Sequence, residues 1–425
     1  MKKKTNTKLP WRWSYVRMGD IFIIERGGSP RPIEDFITTD ADGVNWIKIG
    51  DTKGISKYIY STKEKIRKEG MKKSRMVFED DFILSNSMSF GRPYIMKTSG
   101  CIHDGWLVIR KSEKVNNDFL YYVLSSIEVY RQFSNLAKGS TVKNLNIEAV
   151  KLVEIPLPEI HYQAKIVSKI EELFSDIDNG IEELKKAQEQ LKVYRQSVLA
   201  AGVCGSLTGD SKNYFNNITI GNPKDSYNGW KTVKLTEVAR LESGHTPRKD
   251  RKEYWENGDI LWLSLQDIRA FDGKIAMDTK FKTNALGIKN SSARILPKNT
   301  VCFCRDISVG YVTIMGKPMS TTQHFANWVC EEGLDSKFLM FSFMASRNTL
   351  ITQGQGTTVK TIYMPDLKEM RIQLPSLSEQ LKIVQEIESR LSVADKLQES
   401  IEEGLKKAEA LKMSILRKAF RGELI

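Results

Sequence analysis

No stretch of these 425 residues stays apolar for long. No run approaches the roughly 18 apolar residues that a membrane-spanning helix needs. The opening Met1-Lys2-Lys3-Lys4 passes into Thr5-Asn6-Thr7 instead of an apolar segment, so no secretory signal is expected. Cysteine is scarce: five residues, Cys101, Cys204, Cys302, Cys304 and Cys330, odd in number and scattered. That pattern excludes a disulfide framework and points to a reducing, cytoplasmic setting. Cys302 and Cys304, two apart in an apolar run, are expected on one face of a strand. No second ligand pair has matching spacing, so zinc is not expected. The four histidines, His103, His161, His245 and His324, stand in no HExxH motif and no carboxylate cluster, and read as ordinary surface or packed residues.

Catalytic signatures are missing as well. There is no phosphate-cradling GxxxxGK[ST]; the nearest run, Gly310 to Lys317, has the wrong spacing and leads into Pro318. A GxGxxG after a strand is absent, which leaves a nucleotide or methyl-donor fold unsupported. The Asn-Pro-Pro-aromatic sequence of amino-methylating DNA methyltransferases does not occur. The chain therefore reads as no enzyme and as binding no cofactor itself.

What is present is positive charge and repetition. Lys and Arg number 65 against 52 Asp and Glu, a net charge of +13, which hints at a polyanionic partner. The length allows two or three domains. The segment from Gly139, GSTVKNLNIEAVKLVEIPLPEIHYQAKIV, recurs 217 positions on from Gly356 as GTTVKTIYMPDLKEMRIQLPSLSEQLKIV. Under the same shift Trp13, Val16 and Met18 fall on Trp230, Val233 and Leu235. Gly27, Pro30 and Arg31 fall on Gly244, Pro247 and Arg248, and Gly205 and Leu207 on Gly422 and Leu424. Between these anchors only landmarks match, such as Trp46 with Trp262 and Asp51 with Asp267. Two units of similar frame and divergent middle suit two readers of different targets.

Within each unit Val44–Ile49, Val77–Leu84, Ile260–Leu265 and Thr300–Cys304 read as strands, and Asp118–Phe133 and Ser336–Thr349 as helices. Pro156, Pro158 and Pro375 end extended segments, so long helices are expected to start near Tyr162 and Ser378. Phe174, Ile177, Ile181, Leu184, Gln188, Leu191, Arg195 and Val198 step by three and four. Their counterparts are Leu391, Ala394, Gln398, Ile401, Leu405, Ala408, Lys412 and Ile415. This is a heptad seam with polar breaks, in the same register twice, as a two-stranded coiled coil requires; an amphipathic helix packed on its own domain is the competing reading. The short link between units favours antiparallel pairing. The fold class is thus α+β, two mixed α/β domains separated by two long antiparallel coiled-coil helices in a pseudo-two-fold repeat.

Candidate contact residues are chosen by side-chain chemistry, chiefly from loops at equivalent places, Arg26–Arg31 with Ser243–Lys249 and Gly139–Lys143 with Gly356–Lys360. Glycine admits close backbone approach, Ser and Thr donate, and Arg grips phosphate or guanine with two prongs. The candidates are Arg26, Ser29, Arg31, Lys48, Arg92 and Lys143 in the first unit. Thr246, Arg248, Lys249, Gln266, Arg305 and Lys360 are those of the second.

Together these features resemble the specificity subunits of type I restriction–modification systems. The residues that carry the resemblance are the repeated G[ST]TVK segments and the Q-x-K-I-V helix starts at Gln163–Val167 and Gln380–Val384. The Gly-x-Leu ends at Gly205–Leu207 and Gly422–Leu424 complete the pattern, which covers nearly the whole chain. The resemblance implies a target-recognition domain at 1–157, a conserved helical region at 158–209, a linker and second recognition domain at 210–374, and a second helical region at 375–425. It implies that each domain reads one half of a bipartite site in double-stranded DNA. It also implies that the helices hold two methyltransferase subunits, which bind S-adenosylmethionine, with restriction or translocase subunits able to join. A coiled-coil nucleic-acid-binding scaffold or adaptor not linked to restriction is the alternative.

Overall fold

Short apolar runs bounded by turns build the same arrangement twice. The computed structural model describes residues 13–55, 57–86, 90–137, 144–208, 217–222, 229–356 and 360–425. It divides through its long helices into two compact units, Met1–Leu184 with Glu402–Ile425, and Lys185–Ile401.

In the first unit a five-stranded sheet runs in the order Ile24–Arg26, Trp106–Ile109, Phe82–Ser85, Pro93–Met96, Tyr58–Ile59. Its central strands are buried at every residue, as continuous apolar runs require. Period two sends their side chains to two cores. Phe82, Leu84, Ile95, Leu107 and Ile109 pack with Phe119, Val123 and Phe133 of the helices Asn117–Leu124 and Ile127–Leu136. Ile83, Tyr94, Met96, Trp106 and Val108 instead meet Ile47, Val77 and Ile102 of a second sheet. That sheet runs Ile37–Thr38, Glu64–Ile66, Val44–Ile47, Gly100–Ile102, Arg75–Val77.

The second unit repeats the first order with Ala239–Ser243, Phe325–Cys330, Val301–Cys304, Val312–Met315, Ile275–Ala276, and the central three strands of the second with Phe281–Thr283, Ile260–Leu263, Ser320–Thr321. The likeness extends to which pairs run parallel: Tyr58–Ile59 on Pro93–Met96 and Ile275–Ala276 on Val312–Met315, Val44–Ile47 on Gly100–Ile102 and Ile260–Leu263 on Ser320–Thr321. The divergent middles therefore share one topology that residue identity had hidden.

Several element boundaries differ from expectation, each for a local reason. Val77–Leu84 is two strands, because the Asp81 carboxylate accepts from Phe78 N at 3.0 Å and Asp80 takes φ +67° between them. The strand at Ile260 stops at Leu263, since Ser264 and Asp267 form a capping box that starts the helix Leu265–Ala270. Val44–Ile47 likewise gives way to a short helical turn, with Lys48 N donating to the Asp51 carboxylate at 2.8 Å. Asp118–Phe133 and Ser336–Thr349 each prove to be two helices, broken at Ser126, which N-caps the second, and at Ser346.

The long helices span Ile160–Val203 and Leu377–Ala419. Phe174, Ile177, Ile181, Leu184, Leu191 and Val198 of the first, and Leu391, Ala394, Ile401, Leu405, Ala408 and Ile415 of the second, are all buried or half-buried. The helices pack antiparallel inside each unit. In the first, Lys412 pairs with Asp178; in the second, Arg195 pairs with Asp395 at 2.7 Å. The two ion pairs are counterparts under the 217-residue shift, which turns two polar breaks of the seam, Arg195 and Lys412, into cross-helix links. Each core is closed by the start of one helix and the end of the other. Ile166 and Ile170 join Leu416 and Phe420 in the first unit, Ile383 and Ile387 join Leu199 and Val203 in the second. Both helices end in the same motif. Gly205 and Gly422 take φ +78° and +71°, and the next amide donates five residues back, Ser206 to Ala201 and Glu423 to Lys418, at 2.9 Å.

Candidate nucleic-acid interface

In the first unit a cleft of about 710 Å³ lies between the loop after Ile24–Arg26 and the strands carrying Trp46 and Glu64. It brings together three expected residues, Ser29, Arg31 and Lys48. Asp104 organises them. Its carboxylate accepts from Ser29 Oγ at 3.2 Å and Arg31 Nη2 at 3.4 Å, and lies 3.0 Å from His103 Nδ1; its carbonyl accepts from Arg26 Nε at 3.4 Å. Lys48 pairs with Glu64. Asp104 and Glu64 were not anticipated, because strand pairing brings each in from elsewhere in the chain, Asp104 from 75 residues beyond Ser29 and Glu64 by pairing with Trp46. Arg26 and Arg31 remain exposed, as does Arg92, which precedes Pro93–Met96 and does not line the cleft. Lys143, with the rest of Gly139–Lys143, lies outside the described residues.

The loop glycines have another task than the expected approach to a partner. Gly27 N donates to Trp106 O at 2.9 Å and Gly28 N to Ile102 O at 3.1 Å, and a Cβ on Gly27 would lie 2.2 Å from His103 O. Gly244 repeats this, with 2.1 Å from a would-be Cβ to Thr322 O. These glycines seat the loop on its own sheet, which aims the residues that follow.

In the second unit a cleft of about 630 Å³ borders Trp255, Trp262 and Phe281, with Lys249, Lys252, Lys280 and Lys282 around it. Of the expected residues only Lys249 lines it. The Thr246 hydroxyl pairs with Thr322 Oγ1 at 3.1 Å and with the Gln323 side chain, and the Gln323 backbone carbonyl accepts from Arg305 Nε at 3.3 Å. Arg248 turns to Asp250, 2.8 Å away. Gln266, on the first turn of Leu265–Ala270, and Lys360, beside the bridge from Gln355 to Thr361, are exposed and away from this lining.

Strand register identifies the decisive difference between the clefts. Trp46 stands across from Glu64 and Trp262 across from Phe281. One equivalent position carries a carboxylate in one unit and an aromatic ring in the other, on the same backbone.

Cys302 and Cys304 do share a strand face, packed among Leu261, Met315 and Phe325. Burial pushes the Cys304 thiol up to about 12 and Cys302 higher still, opposite to what a metal-binding thiolate needs. Among the described residues no group of three or more His, Cys, Asp or Glu could hold a metal ion. Three histidines each lie beside one carboxylate, His103 by Asp104, His161 by Glu159 and His324 by Asp306. Among the described residues no helix is long and apolar enough to cross a membrane.

Comparison with known proteins accounts for the duplication. The type I restriction modification DNA specificity domain matches twice, at residues 10–188 and 227–408. The chain is 24% identical to the type I restriction enzyme StySPI specificity subunit of Salmonella potsdam, over 98% of this chain and 90% of that one. It is 25% identical to the EcoBI specificity subunit of Escherichia coli, over 97% and 86%. Among solved structures, the fold is similar to one described under complex assembly and conformational transition of the type I R-M system, with TM-score 0.76, 19% identity and coverage of 98% and 99%. The HsdS subunit of Thermoanaerobacter tengcongensis is similar with TM-score 0.57 and 18% identity, covering 99% of each chain. These likenesses do not favour a scaffold unrelated to restriction. The chain belongs to the type I restriction modification DNA specificity family and is a DNA specificity subunit with two such domains in tandem.

Proposed function

We propose that each domain reads one half of a bipartite double-stranded DNA site through the loops and strands around the cleft beside its tryptophan, and that two methyltransferase subunits dock on the paired helices. The observation that carries this reading is the replacement of Glu64 by Phe281 at one register position of a duplicated fold. Different chemistry on one backbone is what two half-sites of different sequence demand. Arg26, Ser29, Arg31 and Lys48 in the first domain, and Thr246, Lys249 and Arg305 in the second, are the contacts of choice, with base edges read by donors and acceptors in the major groove. Arg31 and Arg248 exchange an internal carboxylate for phosphate or guanine on binding.

S-adenosylmethionine belongs on the methyltransferase subunits, and this chain contributes no catalysis; restriction or translocase subunits join the same cytoplasmic complex. Docking on the helices is supported by large apolar side chains off the seam. Val193, Val393 and Leu397 of the second unit are 67%, 54% and 50% exposed, apolar helix surface available to a partner. The test is filter binding of duplex DNA by this chain with and without the co-expressed methyltransferase subunit, read beside the methylated motifs of the host genome. Site-specific retention that requires both cleft-bearing domains is the expected result. Retention indifferent to sequence, with the partner present, refutes half-site reading.

A further inference from the structure

The second domain's cleft is an aromatic slot. Trp255 and Trp262 meet edge to face with centroids 5.1 Å apart, and Phe281 lies 6.5 Å from Trp262. Both indole N–H groups are engaged internally, Trp255 with Arg248 O and Trp262 with His245 O, each at 3.2 Å. The rings are thus held by their edges. Phe281 is 44% exposed.

The slot is also preformed. The Asn284 side chain donates to Glu253 O at 2.7 Å and Glu256 O at 3.1 Å, and the Thr283 hydroxyl to Tyr254 O at 2.7 Å, tying the Trp255 loop to the Phe281 strand. Gly258 sits so close that a Cβ would lie 2.5 Å from Lys282 O. Four lysines and one acid, Glu256, line the rings, and Asp278 outside the lining pairs with Lys282 at 3.5 Å, a carboxylate that a bound phosphate would replace. Lys249 Nζ is 5.8 Å from the Trp262 centroid and Lys280 Nζ 5.5 Å from that of Phe281.

Ring faces recognise ring faces, and ammonium groups recognise phosphate. A base inside a duplex offers only its edges, so a stacking slot has no use for it. We propose that this cleft binds a single unstacked nucleotide, its base against Trp255 and Phe281 and its phosphate among Lys249, Lys280 and Lys282. The first domain has no such slot, because Glu64 with its partner Lys48 occupies the position of Phe281. The chemistry recognised is that of a nucleoside monophosphate, and its source is either a strand of the bound DNA or a free nucleotide. The DNA source rests on the reading of this chain as a DNA recognition subunit.

The test uses the full chain and two probes, deoxyadenosine monophosphate and a labelled single-stranded oligodeoxyadenylate of about 12 nucleotides. Binding is followed by tryptophan quenching and anisotropy. Phe281→Ala is expected to weaken oligonucleotide binding by roughly tenfold, the scale of one base–aromatic stack, while Phe281→Tyr restores it. The double variant Lys280→Gln, Lys282→Gln should weaken it further in low salt than in high. Binding of the oligonucleotide alone assigns the source to a DNA strand; comparable binding of the mononucleotide assigns it to free nucleotide. No binding of either probe overturns the slot, as does binding that Phe281→Ala leaves unchanged in a variant folded by circular dichroism. A duplex carrying the host's methylated motif, run in parallel, keeps the two readings apart. If it is bound while both probes fail, half-site reading stands and the slot alone is wrong.

Discussion

Replacing Gln380 should uncouple the second long helix from its domain, and the cost follows from three contacts. Gln380 is fully buried. Its carbonyl accepts from Asp335 N at 2.8 Å, and its amide donates to Gly333 O at 2.8 Å and Pro375 O at 3.0 Å. One side chain thus joins the turn before helix Ser336–Ala345 to the strand end from which the long helix departs. Gln163 does the same in the first unit, accepting from Asn116 N at 2.8 Å and donating to Lys114 O at 3.2 Å and Pro158 O at 2.9 Å. Gln380→Met keeps most of the volume and removes all three bonds. An unsatisfied buried polar group costs about 1–3 kcal/mol. Gly333 is exposed, so water can serve its carbonyl, and the other two groups set a loss of about 3 kcal/mol. For a unit of this size that is a fall of roughly 6–12 °C in midpoint. Scanning calorimetry of the full chain, with the two units fitted separately, reads the effect, and amide exchange at Asp335 locates it. Gln163→Met should lower the other transition by a similar or slightly smaller amount, given its longer contact with Lys114. A Gln380→Met protein within about 1 °C of the parent would refute the clamp, since the expected shift is several times larger.

Three further outcomes follow from packing and from the duplication. Gly202→Ala would place a Cβ 2.4 Å from Ile387 Cδ1, a fully buried side chain, so destabilisation of about 1–3 kcal/mol is expected; with Ile387→Ala the combined loss in denaturant titration should fall short of the sum of the single losses. Burial holds the Cys304 thiol up to about 12, which leaves almost no thiolate at pH 8; a thiol reagent followed by mass spectrometry should modify it only after unfolding, and fast modification of the native protein would contradict its burial. Exchanging residues 10–150 for another recognition domain should change one half of the methylated motif in the host genome and spare the other, and a folded hybrid that alters both halves would exclude independent reading.

Duplication, the positions of the long helices and their heptad seam were legible in the amino-acid order, because each rests on local regularity. A repeat is a comparison of strings, a seam is a period of 3.5, and Gly205 and Gly422 stop a helix through one backbone angle. The absence of familiar catalytic motifs was legible for the same reason. The element boundaries that were misread at Phe78–Asp81, Ser126 and Ser264 turn on single side chains that cap or break a run whose apolar pattern continues through them, while at Ser346 the hydroxyl caps nothing and accepts from Ile218 N at 3.0 Å. Only the tertiary structure decided which residues share a cleft. Asp104 reaches Ser29 and Arg31 through the pairing of Trp106–Ile109 with Ile24–Arg26, and Phe281 stands opposite Trp262 through a register that no spacing in the sequence announces. The glycines of the loops show the same division: their need for space was legible, but whether a partner or the domain's own strand fills it depends on what the fold brings within 2.2 Å of Gly27. Local order specifies what each segment becomes, while the clefts arise from contacts between segments distant in the chain, and those exist only once the sheets have formed.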